Sequence, residues 1–237
     1  MSYKRIHKEC LELKNEQKRK IVQGFFKTGK GQYGEGDIFL GITVPQLKKI
    51  AKEYIDSNEL HIKELLHSKI HEERTIGVHI LKLQYERAVK NEDVNLQKKI
   101  YQLFYSLKER VNNWDLVDSS APYISGHFYF HYSKNHLIAL SKSKSLWDRR
   151  IAVVSMFYFI RQFELDYSLE VISKHLGDTE DLMHKACGWM LREIGKKNEK
   201  VLVDYLEKNS NKMARTTLRY AIEKFSERKR KYFLQKV

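Results

Sequence analysis

The chain has 237 residues, of which 42% are hydrophobic, so it can form one large domain or two small ones with a buried core. Its 44 Lys and Arg against 30 Asp and Glu give a formal net charge of +14, which favours a polyanionic partner. No apolar run approaches the roughly 20 residues of a membrane span, no signal-peptide core precedes the first helix, and Cys10 and Cys187 are too isolated for a disulfide scaffold. A cytoplasmic protein is predicted.

Helical periodicity runs along almost the whole chain and predicts helices joined by short connections. The N-terminal helices are marked by the apolar positions Ile6, Cys10, Leu13, Ile21, Val22 and Phe25. Pro45 stands where the first turn of the next helix belongs. Further helices are predicted over residues 59–68, 71–90, 93–110, 113–124, 136–142, 146–163, 166–176, 181–197, 199–209, 213–225 and 226–236. Only the run F-Y-F-H-Y at 128–132 resembles a strand.

Five glycines fall in one 13-residue window, at positions 29, 31, 34, 36 and 41. The stretch G-K-G-Q-Y-G-E-G-D at 29–37 lacks the G-K-[ST] ending of a phosphate-binding loop. It therefore predicts a structured turn between two helices.

The stretch N-N-W-D-L-V-D-S-S-A-P at 112–122 places Trp114 and Asp118 four residues apart, which puts them on one face of a helix. An acid at the contact face of a basic protein weakens the binding of a polyanion. Asp118 is therefore interpreted as a group that takes part in a reaction rather than in binding. Asp115 lies in the first helical turn, where a carboxylate complements the helix dipole, and it is interpreted as structural.

A weak internal repeat is visible at the helix starts. The aligned positions are Arg74, Trp114, Arg150, Lys185 and Arg215, spaced by 40, 36, 35 and 30 residues. Small or aliphatic residues follow each of them and would let paired helices pack closely. A period of this order is typical of an all-α fold, a curved α-solenoid of HEAT-like, armadillo-type helical repeats. A generic helical bundle is the alternative.

The three tryptophans, Trp114, Trp147 and Trp189, all lie within four residues of these repeat positions. A single Trp in a helical repeat is usually part of the core. Here the neighbouring residues are basic, which favours stacking platforms for a base or sugar. Those neighbours are Arg149, Arg150, Lys185 and Arg192.

The C-terminal region is strongly basic. Residues 208–237 contain ten Lys or Arg, among them Arg215 and Arg219, and only two Glu. Such a concentration is typical of a nucleic-acid-binding surface. A solvated tail, or a patch for an acidic protein or lipid, is the alternative interpretation.

Four segments carry a resemblance to a known family: G-E-G-D-I-F-L-G-I (34–42), N-N-W-D-L-V-D-S-S-A-P (112–122), W-D-R-R-I-A (147–152) and K-A-C-G-W-M-L-R-E (185–193). In order and spacing they resemble the AlkD-like alkylpurine DNA glycosylases. The resemblance implies HEAT-like repeats that grip duplex DNA and hydrolyse the N-glycosidic bond of cationic N3- or N7-alkylated purines. It assigns the catalytic aspartate to Asp118, its aromatic partner to Trp114, the cleft arginine to Arg150 and a second cleft tryptophan to Trp189.

The chemistry agrees with these residue types. A cationic alkylpurine leaves without a general acid, so the group that needs stabilising is the oxocarbenium-like sugar, and a fixed carboxylate supplies that charge. The electron-rich face of the Trp114 ring would also attract the cationic sugar. Arg150 would bind a neighbouring phosphate and keep Asp118 ionised. We expect Trp114, Asp118, Arg150 and Trp189 to converge on one basic surface.

The predicted protein is a single HEAT-like domain over residues 1–237, a monomer that binds duplex DNA with alkylated purines, associates with the nucleoid when bound, and needs no cofactor. Two alternatives stay open: a catalytically silent relative that binds unusual DNA structures, and an α-solenoid adaptor for an acidic protein or RNA. His127 and His131 are four residues apart but lack the Glu of a zinc-protease motif, so no metal is predicted.

Overall fold

The computed structural model describes residues 3–236, and these form helices joined by loops, with no strand and one isolated bridge between Ile38 and Ile70. The fifteen α-helices are α1 (Tyr3–Glu12), α2 (Glu16–Phe25), α3 (Val44–Glu53), α4 (Glu59–His67), α5 (His71–Lys90), α6 (Val94–Ser106), α7 (Trp114–Ser120), α8 (Ser125–His131), α9 (Asn135–Ser141), α10 (Leu146–Arg161), α11 (Leu165–Ser173), α12 (Asp181–Lys197), α13 (Glu199–Asn209), α14 (Arg215–Ala221) and α15 (Glu227–Leu234). The predicted helices are thus confirmed, with ends that differ by a few residues.

The strand-like run at 128–132 forms no strand, because these residues belong to α8 and the turn that follows it, and α8 was not among the predicted helices. Their aromatic composition suits a strand, but α8 packs closely on α10. A Cβ added at Gly126 would lie 2.7 Å from the carbonyl oxygen of Ser155, so the two helices touch through a glycine. Tertiary packing overrides the local preference here.

The chain divides into two compact units, Met1–Ser120 and Ala121–Val237. In the first unit, α5 is the central helix and packs against α1, α3, α4, α6 and α7. In the second unit, α10 and α12 are central, with α8, α9 and α11 around α10, and α13 and α14 around α12. Helix pairs stacked in this way belong to the α-solenoid class with HEAT-like repeats. Each repeat of a solenoid contacts mainly its neighbours, so a division into two compact units is compatible with one domain. The single domain over residues 1–237 therefore stays a prediction.

Close helix packing depends on a small residue at the crossing of α12 and α14. A Cβ at Gly188 would lie 2.4 Å from the Cβ of Tyr220 and 2.6 Å from the carbonyl oxygen of Thr217. The small residues that follow the repeat positions in the sequence therefore act as predicted at this crossing. Within the described part of the chain, no helix is long and apolar enough to cross a membrane.

Candidate functional site

Helix α7 presents Trp114 and Asp118 at the boundary between the interior of the first unit and solvent. Its residues Leu116, Val117 and Ser120 are buried, and α7 packs on α5. Trp114 and Asp118 are both half-buried and lie one turn apart on the same helix, as predicted. Before the helix, the buried Asn113 accepts a hydrogen bond from the backbone N–H of Trp114 at 2.8 Å. The first turn of α7 is thus anchored to the unit.

An aromatic cluster, which consists of Phe25, Phe26, Phe39, His71 and Trp114, surrounds this turn. Phe26 stacks on Trp114 with ring centroids 5.2 Å apart and an interplanar angle of 11°. Phe25 meets Trp114 edge-on at 5.8 Å and is 65% exposed. Phe39 stacks on His71 at 4.6 Å, and Phe26 lies 5.0 Å from the same ring. One face of Trp114 is therefore covered, and the ring orientation is fixed.

A charge network of Asp37, His71, Arg74 and Asp115 lies beneath this cluster. The Nε2 of His71 is 2.8 Å from Oδ2 of Asp115, and its Nδ1 is 3.2 Å from Oδ2 of Asp37. Arg74 donates to Oδ1 of Asp37 at 2.7 Å and to the carbonyl oxygen of Ser68 at 3.2 Å. These bonds join three parts of the chain: helix α5, helix α7 and the loop that follows α2.

The charges of the network shift the pKa values of His71 and Asp37. Burial alone would lower the pKa of His71, but the carboxylates of Asp115 and Asp37 raise it to about 9. Burial works to raise the pKa of Asp37, and the hydrogen bonds from His71 and Arg74 outweigh it, so that this pKa is lowered. At neutral pH, His71 is therefore protonated and Asp37 is ionised.

Asp115 lies in the first turn of α7, as predicted, but its role is larger than that of a helix-dipole partner. Its side chain is 22% exposed and is paired with the buried His71. Removing one member of such a buried pair leaves the other charge uncompensated, at a typical cost of about 3–5 kcal/mol. A carboxylate that interacted only with the helix dipole would contribute about 1 kcal/mol or less, so the ion pair with His71 raises the expected cost of losing Asp115.

The glycine-containing loop that carries Asp37 is fixed by another buried carboxylate. The Oε1 of Glu72 accepts the backbone N–H groups of Leu40 and Gly41 at 2.9 and 2.8 Å. Gly41 has φ of 81°, and a Cβ there would lie 2.3 Å from the carbonyl oxygen of Asn15. The predicted turn between helices is confirmed, and it holds Asp37 in place.

In the second unit, α12 carries Lys185, Trp189 and Arg192 on one face, at spacings of four and three residues. Lys185 pairs with Asp181 at 2.8 Å, and Arg192 pairs with Glu223. The indole of Trp189 donates to Glu193 at 3.1 Å and is half-buried beside Phe157. These side chains form a partly exposed, mixed aromatic and basic surface.

The two basic residues after Trp147 are more enclosed than a surface contact for phosphate requires. Arg149 donates to both carboxylate oxygens of Asp178, at 2.7 and 3.2 Å, and to the carbonyl oxygen of Lys144 at 2.8 Å. Arg150 is only 4% exposed and donates to the carbonyl oxygen of Leu182. Trp147 is half-buried in the first turn of α10.

The geometry makes Arg149 a structural residue. We expect Arg149→Gln to lower the free energy of unfolding by about 2 kcal/mol or more, because Asp178 is left without its partner in a poorly exposed position. The matched control is Arg219→Gln on α14, since Arg219 is exposed and should cost about 0.5 kcal/mol or less. Urea unfolding followed by circular dichroism measures both. Equal stability of the two variants would contradict the structural role.

Part of the positive charge of the C-terminal region is neutralised by ion pairs within the chain. Lys229 of α15 pairs with Glu199 of α13, and Lys236, two residues after α15, pairs with Glu207 of α13. Arg215 and Arg219 lie exposed on α14, one turn apart. Because both side chains are exposed, they are candidates for contact with an external polyanion.

Among the predicted site residues, the structure brings together Trp114 and Asp118 in the first unit, and Lys185, Trp189 and Arg192 in the second. The convergence of Asp118 with Arg150 and Trp189 on one surface stays a prediction. Of the four cationic repeat positions, Arg74 and Arg150 are buried, whereas Lys185 and Arg215 reach the surface.

Sequence reasoning did not single out Phe26, Asp37 or His71 as parts of the site. The G-E-G-D segment contains Asp37. No local pattern shows that Asp37 pairs with His71 and Arg74, which follow it by 34 and 37 positions. No group of three or more His, Cys, Asp or Glu residues in residues 3–236 is arranged to hold a metal ion.

Comparisons with known proteins agree with the resemblance of the four segments. A sequence model of the family described as DNA alkylation repair enzyme matches residues 6–225. Among solved structures, the chain is similar to a "Predicted DNA alkylation repair enzyme from Enterococcus faecalis", with a TM-score of 0.66 and 16% identity over 90% of this chain and 97% of that chain. At that identity the likeness concerns the fold alone. No curated protein matches the chain.

Proposed function

Because the chain belongs to the DNA alkylation repair enzyme family, we propose that it is a monofunctional DNA glycosylase for cationic alkylpurines. It hydrolyses the N-glycosidic bond of N3- and N7-alkylated purines in duplex DNA, as the first step of base excision repair. It acts as a monomer in the cytoplasm, at the nucleoid. Asp118 is the catalytic carboxylate, and Trp114 is its aromatic partner.

The observation that carries the proposal is the different situation of the two acids on α7. The charge of Asp115 is neutralised by the imidazolium of His71, at 2.8 Å. Asp118 lies one turn further along, half-buried beside the Trp114 face of the helix. Asp115 is turned towards the buried His71, whereas Asp118 shares the partly accessible face of α7 with Trp114, where a sugar can approach. Asp118 is therefore the better candidate for stabilising the sugar.

The reaction needs a fixed negative charge near the anomeric carbon. As the N-glycosidic bond breaks, its electron pair goes to the alkylated purine, which becomes neutral, and positive charge develops on the sugar. The carboxylate of Asp118 stabilises that charge and orients the water, which adds to the sugar and loses a proton to the solvent. The ring of Trp114, held by Phe26, adds its quadrupole. Neutral alkylated bases are expected to be poor substrates, because no acid is assigned to protonate the leaving group.

The DNA backbone is proposed to contact the basic side chains of the second unit. Lys185 and Arg192 on α12 and Arg215 and Arg219 on α14 are the candidates for phosphate binding. Trp147 and Trp189 are the candidates for stacking against sugars or bases. The direct test is incubation of the protein with methylated duplex DNA and chromatography of the released free bases. Release of no base at any protein excess would overturn the proposal.

Binding to undamaged duplex should be sensitive to salt and blind to sequence, because phosphates are the same at every position. With about five phosphate contacts, log K is expected to fall against log salt concentration with a slope of about −4.5. Fluorescence anisotropy of a labelled duplex over a salt series measures it. The Arg215→Gln, Arg219→Gln double variant should reduce the slope by about 2. An affinity independent of salt would favour a protein adaptor instead.

A further inference from the structure

We propose that His71, as an imidazolium held between Asp37 and Asp115, is a positioning residue that fixes the first turn of α7 and thereby places Trp114 and Asp118. This inference rests on the glycosylase function proposed above. His71 is 2% exposed and contacts neither solvent-facing site residue directly through a hydrogen bond. It acts through the groups that it joins.

The charge balance around the ring requires the proton. Asp37 from the loop and Asp115 from α7 face His71 with two negative charges, and Arg74 from its own helix supplies one positive charge at 3.3 Å. Among the described residues, these are the charged groups in contact with the ring. A neutral imidazole would leave one buried negative charge without compensation. The Oδ1 of Asp115 is buried and has no hydrogen-bond partner in residues 3–236, so this carboxylate depends on the bond between its Oδ2 and His71.

Titratable groups on α1 and α3, which also pack on α5, act on other residues of that helix. From α1, Tyr3 and His7 bind the carboxylate of Glu73, at 3.0 and 2.6 Å. From α3, the charge of Lys48 acts on His79, two turns further along α5. The ionisation of His71 is therefore set by the loop, by α7 and by Arg74.

Two routes transmit the position of His71 to the site. The first is the ion pair with Asp115, which is the residue directly after Trp114 and lies within one turn of Asp118. The second is the aromatic stack, in which Phe26 lies 5.0 Å from His71 and 5.2 Å from Trp114. Asn113 adds a link, since it donates to Asp37 at 3.4 Å and accepts from the N–H of Trp114.

Loss of the proton should loosen the first turn of α7. The pKa of His71 is raised to about 9, so the imidazolium persists at neutral pH and is lost at alkaline pH. A displacement of a catalytic group by about 1 Å can cost roughly 100-fold in rate. A partial loosening of α7 is expected to cost about tenfold.

The kinetic test compares wild type with His71→Gln in single-turnover release of base from methylated duplex, from pH 6.5 to pH 10. The ratio of the two rates cancels any titration of the substrate. We expect a ratio of about 10 at pH 7 that falls towards 1 above the pKa of His71. His79→Gln is the matched control, because His79 is buried on the same helix but has its pKa lowered to about 4. Its ratio to wild type should not change with pH.

A second measurement reports on position without activity. In a Trp147→Phe, Trp189→Phe chain, the fluorescence of Trp114 should titrate with a midpoint near the pKa of His71, and circular dichroism verifies that the chain stays folded. Adding Asp115→Asn should move the midpoint to lower pH, and adding His71→Gln should abolish it. If wild type releases base but the rate ratio is constant with pH and the fluorescence does not titrate, the positioning role is wrong. If wild type releases no base while the fluorescence titrates as expected, the function fails and the coupling of His71 to α7 stands.

Discussion

Asp118→Asn is expected to slow the release of 7-methylguanine and 3-methyladenine by about 10²–10³-fold, which corresponds to roughly 3–4 kcal/mol of transition-state stabilisation. The substitution keeps the shape of the side chain and its reach for hydrogen bonds, and it removes only the negative charge. Affinity for duplex DNA should be unchanged or slightly higher, because an acid that repels phosphates is lost. Single-turnover kinetics with protein in excess measure the rate, and anisotropy measures the affinity.

The control for this prediction is the second acid of the same helix. Asp115→Asn removes an equal charge one turn away, from a side chain that is paired with the buried His71. We expect the folded variant to retain base release within about tenfold of wild type, and to lose more stability than Asp118→Asn. Wild-type rates in Asp118→Asn, or inactivity of the Asp115→Asn variant alone, would show that the wrong carboxylate had been assigned.

The helices of this chain were predictable because their apolar residues recur at helical spacing and their ends carry local signals. Pro45 at the start of α3, and the predicted bounds of α5, α12 and α13, agree with the structure. The run at 128–132 was not predictable in the same way. Its aromatic residues favour a strand by composition, and the contact of Gly126 with α10 that decides for a helix is distant in sequence.

The pair of Trp114 and Asp118 was predictable since both residues lie on one short helix. The charge network was not, because His71 binds Asp115 across 44 sequence positions and Asp37 across 34. The same limit explains the basic residues. A positive charge at a helix start can face solvent, as with Arg215, or can neutralise a buried acid, as Arg74 does for Asp37. Sequence spacing does not distinguish these two cases.

Stability at alkaline pH should depend on His71. Its pKa in the folded chain, about 9, is above the ordinary value of 6.5, so its contribution is complete below pH 6.5 and is lost as the pH rises through 9. A shift of this size corresponds to about 3 kcal/mol. We therefore expect the free energy of unfolding of wild type to fall by about 3 kcal/mol more than that of His71→Gln between pH 6.5 and pH 10. Urea unfolding at a series of pH values measures the difference.

The comparison with His71→Gln isolates this residue from the other groups that titrate in the same range. Burial raises the pKa of Cys10 and Cys187 to about 12, which also disfavours the folded chain at alkaline pH, but equally in both proteins. On the acid side, the lowered pKa of Asp37 has the opposite sign, so its contribution is present at neutral pH and is lost as the carboxylate is protonated. The network is thus most stabilising between the two transitions, where Asp37 is ionised and His71 is charged. Parallel stability curves for wild type and His71→Gln above pH 7 would mean that His71 is neutral in the folded chain.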